Sequence, residues 1–259
     1  MPSYECDGLR LAYREIGDGA PLLFVHGATG TGEFDWGRLA AALSSRYRCV
    51  LPDLRGHGQS EFRESGYERA AIIDDLLALL HHLKADRPHV IGFSYGAETA
   101  LRLEVEAPGT ARSLVLISPG TGTPSGRPVP SVEYLHRVWP RPLRRLHEPG
   151  HGADHWRTLV ALLQQHAASD GELPPEALAG VGCPALLLAG DHDDAFRRRQ
   201  GRRFAEVNPR ARYLEIAGAA HAAHRERPAE VARAVGDFLA VVDDGGWSAP
   251  TAKPTDQES

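Results

Sequence analysis

A chain of 259 residues, 42% hydrophobic and 24% charged, has the make-up of an ordinary globular protein with one sizeable core and room for one insertion. Its 29 Lys and Arg stand against 34 Asp and Glu, and the net charge of −5 leaves no basic footprint for nucleic acid. No run approaches the roughly 18 apolar residues that a membrane span needs. Met1-Pro2-Ser3-Tyr4-Glu5 also lacks the basic-then-apolar order of a secretion signal, so a cytoplasmic protein with no membrane partner is expected. Cys6, Cys49 and Cys183 are odd in number and far apart, which fits reduced thiols with neither a disulfide framework nor a Cys-x-x-Cys metal spacing.

Taken in order, residues 4–6 and 9–16 alternate as a two-strand opening turned at Asp7-Gly8. Gly17-Asp18-Gly19 breaks the chain before Pro21-Leu22-Leu23-Phe24-Val25, an apolar run suited to a strand buried on both faces. A glycine-rich loop follows over 26–32, then a helix over 36–43, a strand over 47–51 and a loop over 53–60. An amphipathic helix over 70–84 leads to the strand Pro88-His89-Val90-Ile91, then to Gly92-Phe93-Ser94-Tyr95-Gly96-Ala97, then to a helix from Glu98.

The strand over 113–117 stops at Ser118-Pro119-Gly120, and the alternation then fails over 120–180. That region holds many prolines, the aromatics Tyr134, Trp139 and Trp156, and one good helix over 154–167. Alternation resumes with a strand over 184–190, a helix over 195–206, a strand over 211–216 and a helix over 228–242 that opens on Pro228. Residues 243–259 carry no periodicity and are expected to be a disordered tail. Strands alternating with helices predict an α/β fold: a mostly parallel sheet flanked by helices, with the opening hairpin as an antiparallel edge. Its core would be 1–119 and 181–242, with 120–180 as an insertion over one end. In such sheets, sites form outside the carboxyl ends of the strands, where Ser94, His26, Asp53, Asp191 to Asp194 and Gly218 to His221 all fall.

Gly-x-Ser-x-Gly between strand and helix is the form of a nucleophile elbow, a strained turn whose flanking glycines let strand and helix approach. A serine hydroxyl needs a base, and the base needs a carboxylate to fix its tautomer. His221, on the small-residue loop after the last strand, is favoured as base over His224. The acid is expected among Asp191, Asp193 and Asp194, since the position after the strand over 113–117 holds Ser118-Pro119 and no carboxylate.

In His26-Gly27, Asp53-x-Arg55-Gly56-His57-Gly58-x-Ser60, the elbow at 92–97, Gly190-x-x-Asp193 and Gly218-x-x-His221, the chain resembles the α/β-hydrolase fold family. The resemblance is to its small esterase, lactonase and haloperoxidase-like branch. It implies an eight-stranded sheet with a helical lid after the sixth strand. It selects Asp193 as the acid, three residues after the glycine, and gives an oxyanion hole of the Ala28 and Tyr95 backbone N–H groups. His26 and the 53–58 motif would be structural, and no cofactor or metal would be required. Ala220 stands where the family tends to carry a second glycine.

The expected activity is hydrolysis of a small-molecule ester, thioester or lactone through Ser94, His221 and Asp193. Enol-lactone hydrolysis, carbon–carbon cleavage of a diketone and perhydrolysis use the same residues, while an aspartate nucleophile would have pointed to dehalogenase or epoxide-hydrolase chemistry. A ligand sensor, or an accessory protein of natural-product assembly, is the alternative from another class. Phe93, Tyr134, Trp139 and Trp156 are read as walls of an apolar pocket or as the lid's own core. His147, His151 and His155 share a spacing that suits a metal on a helix, but Pro149, Gly150 and Gly152 would interrupt that helix, so no metal is expected. Nothing in the sequence decides between monomer and homodimer.

Overall fold

Eight short runs, rich in β-branched and aliphatic residues and bounded by turn residues, form one sheet. They are β1 (Ser3–Cys6), β2 (Leu9–Ile16), β3 (Ala20–Val25), β4 (Tyr47–Pro52), β5 (His89–Phe93), β6 (Ser113–Ile117), β7 (Ala185–Gly190) and β8 (Ala211–Ile216). Their order is β1-β2-β4-β3-β5-β6-β7-β8. The first two strands add antiparallel to the edge at β4, and all later pairings are parallel, as the alternation predicts. The computed structural model describes residues 1–122, 132–138 and 140–247.

Side chains on a strand alternate between faces, and the two cores divide accordingly. Leu23, Val25, Val90, Leu114 and Leu187 face one side, and Leu22, Phe24, Ile91, Val115 and Leu186 face the other. The first face is covered by α2 (Arg69–His82), α3 (Tyr95–Glu106) and α8 (Ala195–Val207); the second is covered by α1 (Gly32–Leu43) and α10 (Pro228–Asp243). The strand register then decides where the site lies. Val25 pairs with Gly92, Phe93 with Ile117, and Gly190 with Ile216, so the residues that follow β3, β5, β6, β7 and β8 leave the sheet along one edge.

Helix α1 begins at Gly32, four residues before the start expected from hydrophobic periodicity. Thr31 caps it, its Oγ accepting from the Phe34 N–H at 3.2 Å, and Glu33 and Asp35 place negative charge in the first turn. The glycines that look like loop are here the entry to a helix.

Between β6 and β7 the described residues make four helices where one was expected: α4 (Val132–Val138), α5 (Pro140–His151), α6 (His155–Ser169) and α7 (Pro175–Ala179). Helix α5 continues through Pro149 and Gly150, and the break comes later, at Gly152 (φ 93°) and Asp154 (φ 59°). Leu143, Trp156 and Val160 make a small core inside this insertion, and Leu159 and Leu163 on α6 join the main core. A short helix after β8, α9 (Ala223–Glu226), had no sequence signal. Asp243, which the sequence assigns to the tail, closes α10 and gathers Tyr47 Oη at 2.7 Å, His89 Nε2 at 3.1 Å and an Arg112 guanidinium nitrogen at 3.0 Å. The rest of the predicted tail beyond Trp247 lies outside the described residues.

The 53–60 loop is braced by a buried pair. Arg55 grips Asp75 of α2 through Nε at 2.6 Å and Nη2 at 2.7 Å, and it donates further to the carbonyls of Gly66 and Ala71. Removing one member of such a pair strands a buried charge. Arg55→Met should therefore lower stability by about 3–5 kcal/mol, measured as the shift in guanidinium unfolding midpoint at constant slope.

Candidate active site

Ser94 follows β5 directly and caps α3 with φ 52° and ψ −112°, a region that costs a non-glycine residue about 1–3 kcal/mol. The strain is enforced by crowding. A Cβ at Gly92 would overlap the Gly96 carbonyl oxygen, and one at Gly96 would overlap the carbonyl oxygens of Val25 and His26. The Ser94 N–H is held by Ile117 O at 2.9 Å. The turn thus lifts Ser94 from the sheet edge and sets the first turn of α3 against the exit of β3.

His221, on the loop after β8, reaches Ser94 Oγ with Nε2 at 3.1 Å and Asp193 Oδ1 with Nδ1 at 3.1 Å. Asp193 is 6% exposed. Burial pushes its carboxyl up, but the hydrogen bond and charge of His221 and the Asp194 N–H outweigh that and hold it below the usual carboxylate range. Of the other acidic candidates, Asp194 caps α8 by accepting from the Phe196 N–H at 2.7 Å, and Asp191 lies 3.9 Å from His192. The rival base, His224, is buried between Trp36 and Phe93, with ring centroids 4.7 and 4.5 Å away, and burial pushes it well below its usual value.

Two residues around this constellation have no motif to announce them. Ser118, with φ 51°, donates from Oγ to the His221 carbonyl at 2.5 Å. Glu226 accepts the N–H groups of Ala220 at 2.7 Å and Ala222 at 3.1 Å, so its carboxylate clamps both neighbours of His221. Ala220, the departure from the family's glycine, is thereby held through its own backbone.

The Ala28 and Tyr95 N–H groups are not engaged by any hydrogen-bond partner among the described residues. The loop carrying Ala28 is held peptide by peptide. Asp35 Oδ2 accepts the Gly27 N–H at 2.9 Å, and His26 Nδ1 donates to Gly27 O at 2.8 Å while its Nε2 accepts from the Leu54 N–H at 3.0 Å. His57 lies between Arg55 O at 3.0 Å and Ala28 O at 3.1 Å, and as a neutral ring it donates to one of them at a time. On the other side, buried Arg69 donates to Tyr95 O at 3.1 Å, lies 4.0 Å over the Tyr95 ring, and ties both to Asp170 at 2.8 Å. His26, Asp53 and His57 thus hold loops, the structural role the sequence reading gave them; Asp53 accepts the N–H groups of Gly32 at 2.9 Å and Gln59 at 3.0 Å.

The aromatic candidates are scattered. Phe93 stands at the site, its centroid 5.0 Å from His221. Trp156 is wholly buried among Leu143 and Val160, Tyr134 is 47% exposed, and Trp139 lies outside the described residues. His147, His151 and His155 all turn toward the core loops. His147 approaches His57 at 5.5 Å, His155 donates to Gly56 O at 2.9 Å, and His151 stacks on His155 at 4.2 Å. Among the described residues no three His, Cys, Asp or Glu side chains converge as metal ligands, and no helix is long and apolar enough to cross a membrane.

A family model described as the alpha/beta hydrolase family matches residues 22–234. The chain belongs to that family. An uncharacterized protein of Mycobacterium tuberculosis, Rv2715, is 34% identical over 113 residues, 44% of this chain and 33% of that protein, so this hydrolase-family chain spans about a third of that relative's length. BpoC of the same species, provisionally named a non-heme bromoperoxidase, is 27% identical over 263 residues, 90% of this chain and 99% of its own. Among solved structures, the enol-lactonase from Burkholderia xenovorans LB400 superposes with a TM-score of 0.77 at 25% identity, covering 92% of this chain and 100% of that one.

Burial pushes His26, His57 and His147 down to about 3, so each is folded as a neutral ring. A histidine whose folded value lies below its unfolded 6.5 contributes stability above pH 6.5 and loses it as pH falls toward 3, at about 1.4 kcal/mol per pH unit for each ring. Asp35, pushed up to about 6 by burial, works in the opposite sense but is a single group. The guanidinium midpoint should therefore drop steeply between pH 7 and pH 5; an unchanged midpoint would contradict neutral burial of these rings.

Proposed function

We propose that the protein is a serine hydrolase that cleaves a small ester, thioester or lactone by acyl transfer through Ser94. The observation that carries this reading is the single imidazole, His221, placed 3.1 Å from both the Ser94 hydroxyl and the Asp193 carboxylate. As Ser94 Oγ attacks the carbonyl carbon, its proton passes to His221 Nε2, and Asp193 stabilises the imidazolium through Nδ1–H. The carbonyl oxygen gains negative charge and is received by the Ala28 and Tyr95 N–H groups, which leave no other partner to break from. Collapse expels the alcohol, thiol or ring oxygen, which takes the proton from His221. Water then repeats the sequence on the acyl-enzyme. Every proton transfer is assigned to a residue of the chain, so this chemistry calls for no cofactor or metal.

Within this class, a lactone is the substrate type that the similarity to an enol-lactonase supports. Helices α4 to α6 would serve as the lid that selects it, since His147 of α5 meets Thr29 O of the 26–32 loop and the His57 ring of the 53–60 loop. Apolar walls would come from Phe93, beside the nucleophile, rather than from Trp156, whose side chain is consumed by the insertion's own core.

Turnover of p-nitrophenyl acetate and of small lactones tests the reading. Ser94→Ala should abolish it, and Asp193→Asn should lower kcat by about 10⁴-fold while Asp191→Asn leaves it within about threefold. A wild-type protein inactive on esters, thioesters and lactones alike would refute the hydrolase reading; full activity of Ser94→Ala would refute the mechanism.

A further inference from the structure

The Ala28 N–H stands at the end of a hydrogen-bonded chain that starts in the inserted helices. His147 of α5, 1% exposed, meets Thr29 O through Nε2 at 3.3 Å. The other end of that same peptide, the Gly30 N–H, donates to Gly27 O at 3.0 Å. The other end of the Gly27 peptide is the Ala28 N–H. No peptide among the described residues is cis, so each C=O and the following N–H point in opposite directions. The order is therefore His147 N–H to Thr29 O, Gly30 N–H to Gly27 O, and then Ala28 N–H outward.

The proton's place on His147 follows from its partners. Thr29 O can only accept, and Nδ1 is buried with no partner among the described residues, so Nε2 carries the hydrogen. Burial, with His57 beside it, keeps the ring neutral with that one hydrogen. His26 anchors Gly27 O from within the core at 2.8 Å, whereas His147 is the donor that reaches this loop from α5.

We propose that His147 is a positioning residue whose N–H orients the 27–30 loop and so aims the Ala28 N–H at the developing oxyanion, which makes seating of the lid part of assembling the oxyanion hole. This rests on the acyl-transfer role of Ser94. Polarisation along such a chain strengthens each bond by only about 10–30%, so the main effect is orientation. An imidazole that merely filled space would be replaceable by another ring. A relay needs the donor.

A fluorophosphonate probe reads the oxyanion hole in one covalent event: the Ser94 Oγ–P bond forms, the P–F bond breaks, fluoride leaves and the serine proton passes to His221. Hydrogen exchange of the peptide spanning 26–32 reads the order of the loop without any chemistry. His147→Phe keeps a ring and drops the donor; it should slow maximal phosphonylation about tenfold with little change in probe binding, and speed loop exchange. His147→Gln, which restores an N–H donor on a side chain of similar reach, should recover most of both. His155→Phe removes the lid's hydrogen bond to Gly56 O without touching the relay and should leave the phosphonylation rate near wild type. The proposal is overturned if His147→Phe labels and exchanges like wild type, if His147→Gln is no better than His147→Phe, or if His155→Phe slows labelling equally. A wild type that does not label at all strikes the hydrolase reading instead, and loop exchange in His147→Phe still decides whether this imidazole orders the loop.

Discussion

The close approach of the first turn of α3 to the exit of β3 is the constraint on which the site depends. Gly96 lies against the carbonyl oxygens of Val25 and His26, and Gly92 lies against Gly96 itself. No side chain fits at either contact, and Ser94 between them is forced to φ 52°. That crowding sets the first turn of α3 against the start of the 26–30 loop, joining two segments distant in sequence. The strain at Ser94 is held by well-packed neighbours: Val25, Ile91, Ile117 and Ala97 are fully buried.

Around this constraint the molecule places ionisable groups where burial keeps them neutral or paired. His26, His57 and His147 hold successive carbonyl oxygens of one loop, and Asp35 holds an N–H of the same loop. Each anchoring group is buried, so each bond forms away from competing water, although His57 shares its one hydrogen between Ala28 O and Arg55 O. Arg69 and Glu226 do equivalent work for the elbow and for the base loop, and Arg69 also ties the elbow to Asp170 where the insertion returns to the core. Under the acyl-transfer reading proposed above, such anchoring would keep the Ala28 and Tyr95 N–H groups aimed before charge develops, which is where the rate advantage of an oxyanion hole arises.

The helices between β6 and β7 show how local propensity misleads. Pro149 and Gly150 lower helix propensity, yet α5 runs through them because its buried face, with Leu143 and His147, is committed to packing. The sequence leaves Trp156 open between a pocket wall and the insertion's own core, and it is wholly buried among Leu143 and Val160, the second of these. Whether an aromatic side chain faces a ligand or its own neighbours depends on the rotation of its helix, and that is settled by contacts made elsewhere.

From the sequence alone came the strand–helix alternation, the hairpin at Asp7-Gly8, the elbow at Ser94 and the convergence of His221 and the 191–194 turn at one sheet edge. These follow from period-2 and period-3.6 patterning and from steric demands on glycine, all local properties. The choice of Asp193 over its acidic neighbours came only from family resemblance, and the tertiary structure then set its carboxylate 3.1 Å from His221. Ser118, Glu226, Arg69 and Asp35 were legible in no motif, and His147 stood out only through a histidine spacing that pointed to metal rather than to the 26–30 loop. For Ser118, Arg69 and His147 the defining partners lie from 26 to 118 residues away, and a hydrogen bond across such distances exists only once the sheet register and the insertion's seat are fixed. The elbow is written in five adjacent residues; what anchors the 26–30 loop beside it is written in contacts that only the folded chain makes.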